Sequence, residues 1–304
     1  MAERPHVVVL AGGEGTRLAS LTRALYGADL PKQFAILDGE RSLLQQTIER
    51  ARLLTTLDRV LVVVTGAREE LARAQLEPYP GVELVVQPRN LDTGPGLLLP
   101  LVRILARTPD ARVVFLPSDH YVSNPGPLVR ALARTEVGKV RDRVTLIGVT
   151  PSEAEVEYGW ILRGNRIGTT GGFTVARFHE KPLHAVAEEL FRSGGLWNTF
   201  ISTGPASTYW ELARRHLPHH VAALERFAVA IGGFTEASEL DQAYRAMPPA
   251  SFSRDVLAHT RSLAVLPVDG TGWSDWGSPK RVFASLAGTP NHDRLVERIR
   301  GNAA

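Results

Sequence analysis

An apolar run, Val7-Val8-Val9-Leu10-Ala11, passes directly into Gly12-Gly13-Glu14-Gly15-Thr16-Arg17. No other segment constrains the chain as much. Consecutive apolar residues without alternation predict a strand covered on both faces. Glycines immediately after it predict a loop whose bare backbone N–H groups let a phosphate approach closely. Arg17 closes the loop with a planar fork suited to phosphate oxygens. Two familiar glycine loops are excluded by spacing. A P-loop requires a lysine before Thr16, and a dinucleotide-binding loop requires a third glycine where Leu18 stands.

The first half of the chain repeats the same texture. Valine-rich runs at His6–Ala11, Arg59–Thr65, Val82–Gln87, Arg112–Pro117 and Arg143–Val149 predict strands. Helix-like segments lie between them at Ser42–Leu54, Ala67–Glu77, Gly94–Arg107 and Pro127–Thr135. This alternation predicts an α/β, Rossmann-like fold: a mostly parallel mixed sheet flanked by helices. Thr93 before Gly94-Pro95 is expected to cap its helix, and Pro100 to kink it. After Thr150, strands are expected at Gly159–Gly164, Phe173–His179 and Ser262–Asp269, and a helix at Pro279–Leu286. Residues 205–260 read as a helical insertion on the substrate side. With no repeat or linker in sight, the expectation is one catalytic domain over 1–304. In such sheets ligands bind beyond the carboxyl ends of the strands.

Composition removes several alternatives. There is no cysteine among 304 residues, so disulfides and thiolate metal sites are excluded. Leu97–Ala106 is broken by Pro100 and Arg103, leaving no segment able to span a bilayer. A pI near 9.4 invites a nucleic-acid partner, but the net charge is only +3 and Arg50, Arg52, Arg59, Arg68 and Arg73 are scattered as on a solvated surface. The expectation is a cytoplasmic protein with small anionic substrates, no nucleic-acid or membrane partner, and homodimerisation left open. His216, His219 and His220 lack acidic or thiol neighbours for a metal, and no Gly-x-Ser-x-Gly elbow occurs.

Carboxylates and cations follow the strands. Asp119, in Leu-Pro-Ser-Asp-His, and Asp275, in Gly-Trp-Ser-Asp-Trp-Gly-Ser, suit Mg²⁺, which takes one or two carboxylates plus phosphate oxygens. Either alone is as readily a loop cap. Glu180-Lys181 offers a partner for hydroxyls and one for phosphate, and Pro31-Lys32-Gln33-Phe34 sets a second lysine on a rigid turn; such residues are ordinarily solvated ends. Tyr158-Gly159-Trp160 supplies an aromatic wall beside bare backbone, and Asn198 an amide able to pair with neighbouring hydroxyls.

Together these segments resemble the mannose-1-phosphate guanylyltransferase branch of the sugar-phosphate nucleotidyltransferases. The match runs in order through Leu10–Leu18, Pro31–Phe34, Gln87–Pro95, Leu116–His120, Tyr158–Trp160, Phe178–Pro182, Trp197–Thr199 and Trp273–Ser278. The resemblance implies that Leu10, Ala11, Gly12, Gly13, Gly15, Thr16, Arg17, Gln87, Asn90, Thr93 and Gly94 bind the nucleoside triphosphate. It places Arg17 and Lys32 on the phosphates, Asp119 and Asp275 on Mg²⁺, and Gly159, Glu180, Lys181 and Asn198 on the sugar phosphate. The implied reaction joins GTP to mannose 1-phosphate, giving GDP-mannose and pyrophosphate. Its alternatives are the same transfer with UTP or dTTP and glucose 1-phosphate, or a non-catalytic sugar-nucleotide-binding regulator.

Two segments depart from the family pattern. Asn90-Leu91-Asp92-Thr93-Gly94-Pro95-Gly96 replaces Asn-Thr-Ala-Pro-Ala, and Ser251-Phe252-Ser253 replaces Ser-Ile-Asp without its acid. Neither an extended β-helix nor a fused isomerase domain is expected.

Overall fold

The computed structural model describes residues 4–302. Nine strands form one sheet: β1 (His6–Leu10), β2 (Val60–Thr65), β3 (Glu83–Gln87), β4 (Arg112–Pro117), β5 (Thr145–Val149), β6 (Gly159–Ile167), β7 (Gly172–Glu180), β8 (Leu196–Pro205) and β9 (Ala264–Pro267). Their order is β3-β2-β1-β4-β8-β5-β9-β7-β6, with β8 also pairing β6. The valine-rich first half is parallel, β3 to β2 to β1 to β4, as expected from its helical crossovers. The second half is joined mainly by antiparallel pairs through β8, β7 and β6.

The apolar runs are explained by burial on both faces. Val8 packs into the core under the helix Thr93–Arg107 and the helices Ala206–His216, Pro218–Ala228 and Glu236–Ala246. Val7 and Val9 face the opposite core, beneath helices Leu43–Arg52, Glu69–Leu76 and Gly126–Arg134. A third cluster packs the glycine-loop helix Ala19–Tyr26 against Pro279–Leu286 and Pro290–Gly301. Among the described residues, no helix is long and apolar enough to cross a membrane.

Four expectations need correction. The central strand β8 is absent from the strands expected on sequence grounds. It carries Asn198, Thr199, Ser202 and Thr203, yet all four are buried. The polarity of three is met by partners: Thr199 Oγ1 donates to the Ile147 carbonyl at 2.7 Å, Ser202 Oγ accepts from Tyr209 at 2.8 Å and Asn198 Oδ1 accepts from the Phe200 N–H at 3.2 Å, whereas the Thr203 hydroxyl is buried without a hydrogen-bond partner among the described residues. The helix expected from Gly94 begins at Thr93 and is capped by Asp92, whose Oδ1 accepts the Thr93 N–H at 2.6 Å. Residues 252–259 form a π turn and a 3₁₀ turn in place of an α-helix. Arg50 is not on the surface; it is buried, hydrogen-bonded to Thr47 Oγ1 and, at 3.1 Å, to the His120 carbonyl.

Candidate active site

The loop after β1 is fixed by the turn Pro31–Phe34. Gln33 Nε2 donates to the Ala11 carbonyl at 3.1 Å and the Gly13 carbonyl at 2.6 Å. Gly15 has φ 65°, and a Cβ there would lie 2.7 Å from both the Lys32 nitrogen and Gln33 Oε1. A Cβ on Gly12 would lie 2.8 Å from Gln87 Nε2. These glycines therefore permit close approach to two glutamines as well as to a ligand. Above them opens a cavity of about 470 Å³, lined by Leu10, Gly12, Gly13, Gln87, Asn90, Thr93 and Asp119 together with residues not foreseen, among them Val63, Ser118 and Phe200. Gln87 Oε1 accepts from the Tyr244 hydroxyl at 3.1 Å, which leaves the amide N–H₂ as the donor toward the glycine loop. Ala11 is buried beneath the loop. Gly94 packs on Ala250, whose carbonyl would sit 2.7 Å from a Cβ there. Gly15, Thr16 and Gly94 do not line the cavity.

A second cavity of about 310 Å³ adjoins the first and contains Arg17, Gly159, Glu180, Lys181, Asn198 and Asp275. Its floor follows from strand register. Gly159 of β6 is paired with Glu180 of β7 on one side and Asn198 of β8 on the other, so the three form one row across the sheet. Gly159 leaves the room: a Cβ would fall 2.8 Å from Glu180 Oε2 and 3.2 Å from the Asn198 Cβ. Burial pushes the Glu180 carboxyl above its usual range, against the opposing influence of Lys181 and Ser253. Arg17, expected on nucleotide phosphates, stands at the wall of this second cavity.

Asp119 and Asp275, far apart in sequence, meet at Lys32. Lys32 is 1% exposed. Its amine lies 3.0 Å from Asp119 Oδ2 and donates to the Asp275 backbone carbonyl at 2.6 Å. The structure thus places Lys32 below the cavity floor, as the internal counter-ion of Asp119. Burial works against the Asp119 charge, but Lys32 and then His120 outweigh it and bring its pKa down to about 2. Asp275 is buried beside it. Its Oδ1 accepts from the Tyr158 hydroxyl at 2.7 Å, the Gly277 N–H at 2.9 Å and Arg281 at 3.0 Å. Its Oδ2 faces Arg17 at 3.2 Å. Here too burial is outweighed, by His120, Tyr158, Lys32 and Arg17, and the carboxyl lies below its ordinary range. His120 accepts at Nδ1 from Trp273 Nε1 at 3.2 Å. Its Nε2 therefore carries the proton when the ring is neutral, and burial lowers its pKa to about 4.

Among the described residues, four that are not glycine have positive φ: Asp92 (68°), Lys181 (46°), Phe200 (60°) and Trp276 (44°). Three line the cavities, and Trp276 adjoins Asp275. Strained backbone of this kind concentrates where function over-determines the chain. Sequence reasoning missed Phe200, His120 and Arg281. Arg281 follows the cap Ser278 and the N1 residue Pro279, a signal for a helix start. Its guanidinium lies 4.7 Å over the Tyr158 ring while also bonding Asp275 and Glu155. No sequence signal points to Phe200.

A glycine-loop cavity and an adjoining polar cavity thus meet above two buried carboxylates on a mixed α/β sheet. Residues 6–288 match the family model described as nucleotidyl transferase, and the chain belongs to that family. It is 29% identical over 301 residues to mannose-1-phosphate guanylyltransferase RfbM of Salmonella typhimurium, covering 97% of this chain and 60% of that protein. Alginate biosynthesis protein AlgA of Pseudomonas fluorescens is 32% identical over 91% of this chain and 57% of its own length. The chain thus spans somewhat over half the length of these relatives. A crystal structure of a mannose-1-phosphate geranyltransferase from Thermus thermophilus superposes with a TM-score of 0.79 at 30% identity, covering 95% of this chain and 81% of that one.

Proposed function

We propose that this protein transfers a nucleotidyl group from GTP to mannose 1-phosphate, producing GDP-mannose and pyrophosphate. The observation that carries the reading is the junction of the two cavities, which share Asp92, Thr93, His120 and Phe200 and meet where Lys32 ties Asp119 to Asp275. Two bound substrates would bring their reacting ends to that point. The kinship with mannose-1-phosphate guanylyltransferase RfbM supports the base and the sugar. The Gln87 amide favours a keto-bearing base such as guanine, whose O6 accepts, over adenine, whose N6 donates.

A sugar 1-phosphate is largely dianionic at neutral pH, because the second pKa of a phosphate monoester is about 6. It therefore needs no general base. Its oxygen attacks the α-phosphorus in line, the bond to the β-phosphate oxygen breaks, and pyrophosphate leaves with the electron pair. The protein's task is to align two anions and offset charge. The glycine-loop amides bind the triphosphate. Arg17 swings between Asp275 and the phosphates, and Lys181 holds the incoming phosphate. Glu180 and Asn198 orient the hexose. Asp119 and Asp275 would hold a magnesium ion through Asp119 Oδ1 and, once Arg17 engages the phosphates, Asp275 Oδ2, hard oxygen ligands whose shell the substrate phosphates would complete. Such an ion would supply charge neutralisation at the α-phosphate.

A pyrophosphate-release screen tests this by crossing GTP, UTP, dTTP, CTP and ATP with mannose, glucose and galactose 1-phosphates, with and without Mg²⁺. GTP with mannose 1-phosphate is expected to turn over fastest and only with the cation. Absence of release in every combination would leave the regulator reading in possession.

A further inference from the structure

Asp92 touches both cavities and has no part in the reaction as described above. Its backbone, φ 68° and ψ −172°, lies in a region that is essentially glycine's own. Bonds on either side hold it there. The Ala250 N–H donates to the Leu91 carbonyl at 3.0 Å, the Gly94 N–H to the Ala250 carbonyl at 2.7 Å, and the Phe252 N–H to Thr93 Oγ1 at 2.9 Å.

Capping the helix occupies one carboxylate oxygen, Oδ1. Asp92 is exposed, and for its Oδ2 the described residues supply no hydrogen-bond donor or ion-pair partner, which leaves that oxygen open to solvent at the mouth of the two cavities. A neutral cap such as asparagine or serine would satisfy the Thr93 N–H as well. A carboxylate with one free oxygen accepts only, so it repels phosphate and binds hydroxyls. The second cavity around it is already furnished for hydroxyls by Glu180, Asn198 and Ser253.

We propose that Asp92 reads a substrate diol where the two cavities join, its free oxygen accepting from a sugar hydroxyl of either the nucleotide's ribose or the hexose. This rests on the two-substrate reading above. Asp92 is then a specificity residue, and its strained backbone fixes the carboxylate at the border of both substrates.

A binding cycle tests the assignment. Affinities of GTP, 2′,3′-dideoxy-GTP, mannose 1-phosphate and its monodeoxy analogues are measured by calorimetry on the wild-type protein and on Asp92→Asn, which keeps the cap. For one substrate, removing the hydroxyls is expected to weaken wild-type binding about tenfold and to change binding to the variant less than about twofold. The substrate showing that coupling identifies the diol. Equal losses in both proteins for both substrates would overturn the proposal. Asp92→Gly adds a second readout: its melting temperature is expected to match or exceed wild type, because glycine adopts this backbone freely, while the hydroxyl preference disappears. A glycine variant that keeps the preference would also overturn it. Pyrophosphate release is followed in parallel. Coupling without release refutes the transferase reading and keeps this assignment; release without coupling does the reverse. Failure of the wild type to bind either ligand refutes both.

Discussion

At the scale of single residues, the site is a charge balance built before any substrate arrives. Lys32 neutralises Asp119 from below, and Arg17 with Arg281 neutralises Asp275 from the side. Asp119 has a folded pKa of about 2 against an ordinary 3.8, so its contribution to stability is complete above pH 3.8 and is lost as pH falls through 2. His120 acts in the same direction over a higher range. Its folded pKa of about 4 lies below the ordinary 6.5, so the unfolded chain takes up the extra proton between those values and stability rises from pH 4 to 6.5. Urea denaturation at a series of pH values is expected to show both slopes, and Asp119→Asn to remove the lower one. Arg17→Ala is expected to lower kcat by on the order of a hundredfold, with an unchanged circular dichroism spectrum. Near-normal turnover would remove Arg17 from the machinery.

Elements differ in how plainly the sequence declares them. The parallel strands were legible because their interiors are buried and filled with apolar residues, valine foremost, and the glycine loop because it follows such a strand. β8 was not legible, since Asn198, Thr199, Ser202 and Thr203 look like loop residues until Ile147 and Tyr209 are seen to satisfy two of their hydroxyls. The site was half readable for a similar reason. Glycines, acids and lysines advertise chemistry, whereas Phe200 enters through a backbone angle, and Arg281 through a helix start that local sequence treats as routine. The destination of the Lys32 amine depends on a contact 243 positions away. The loop itself yields a test at this scale. Gly15→Ala would force a methyl against the Lys32 nitrogen and Gln33 in a left-handed conformation, so destabilisation of about 1–3 kcal/mol is expected in chemical denaturation, with loss of nucleotide binding.

Across the whole molecule, the helices of 206–246 stabilise the sheet from the same side as the crossover helix Thr93–Arg107. Phe227 is fully buried there, with Arg103 over its ring at 5.4 Å. Phe227→Ala is expected to cost about 3–5 kcal/mol by equilibrium unfolding, while the folded fraction keeps its specific activity because no cavity residue is touched. The row Gly159, Glu180 and Asn198 behaves differently, since hydrogen-bond pairing of β6 with β7 and β8 is what sets the three side by side. Side chains alternate faces along a strand, so a slip of a single position would turn this row, proposed to hold the hexose, to the wrong surface while leaving nearly as many backbone bonds intact. On the proposed function, substrate recognition and strand alignment are one property, and a misaligned sheet would be a well-folded protein blind to its sugar.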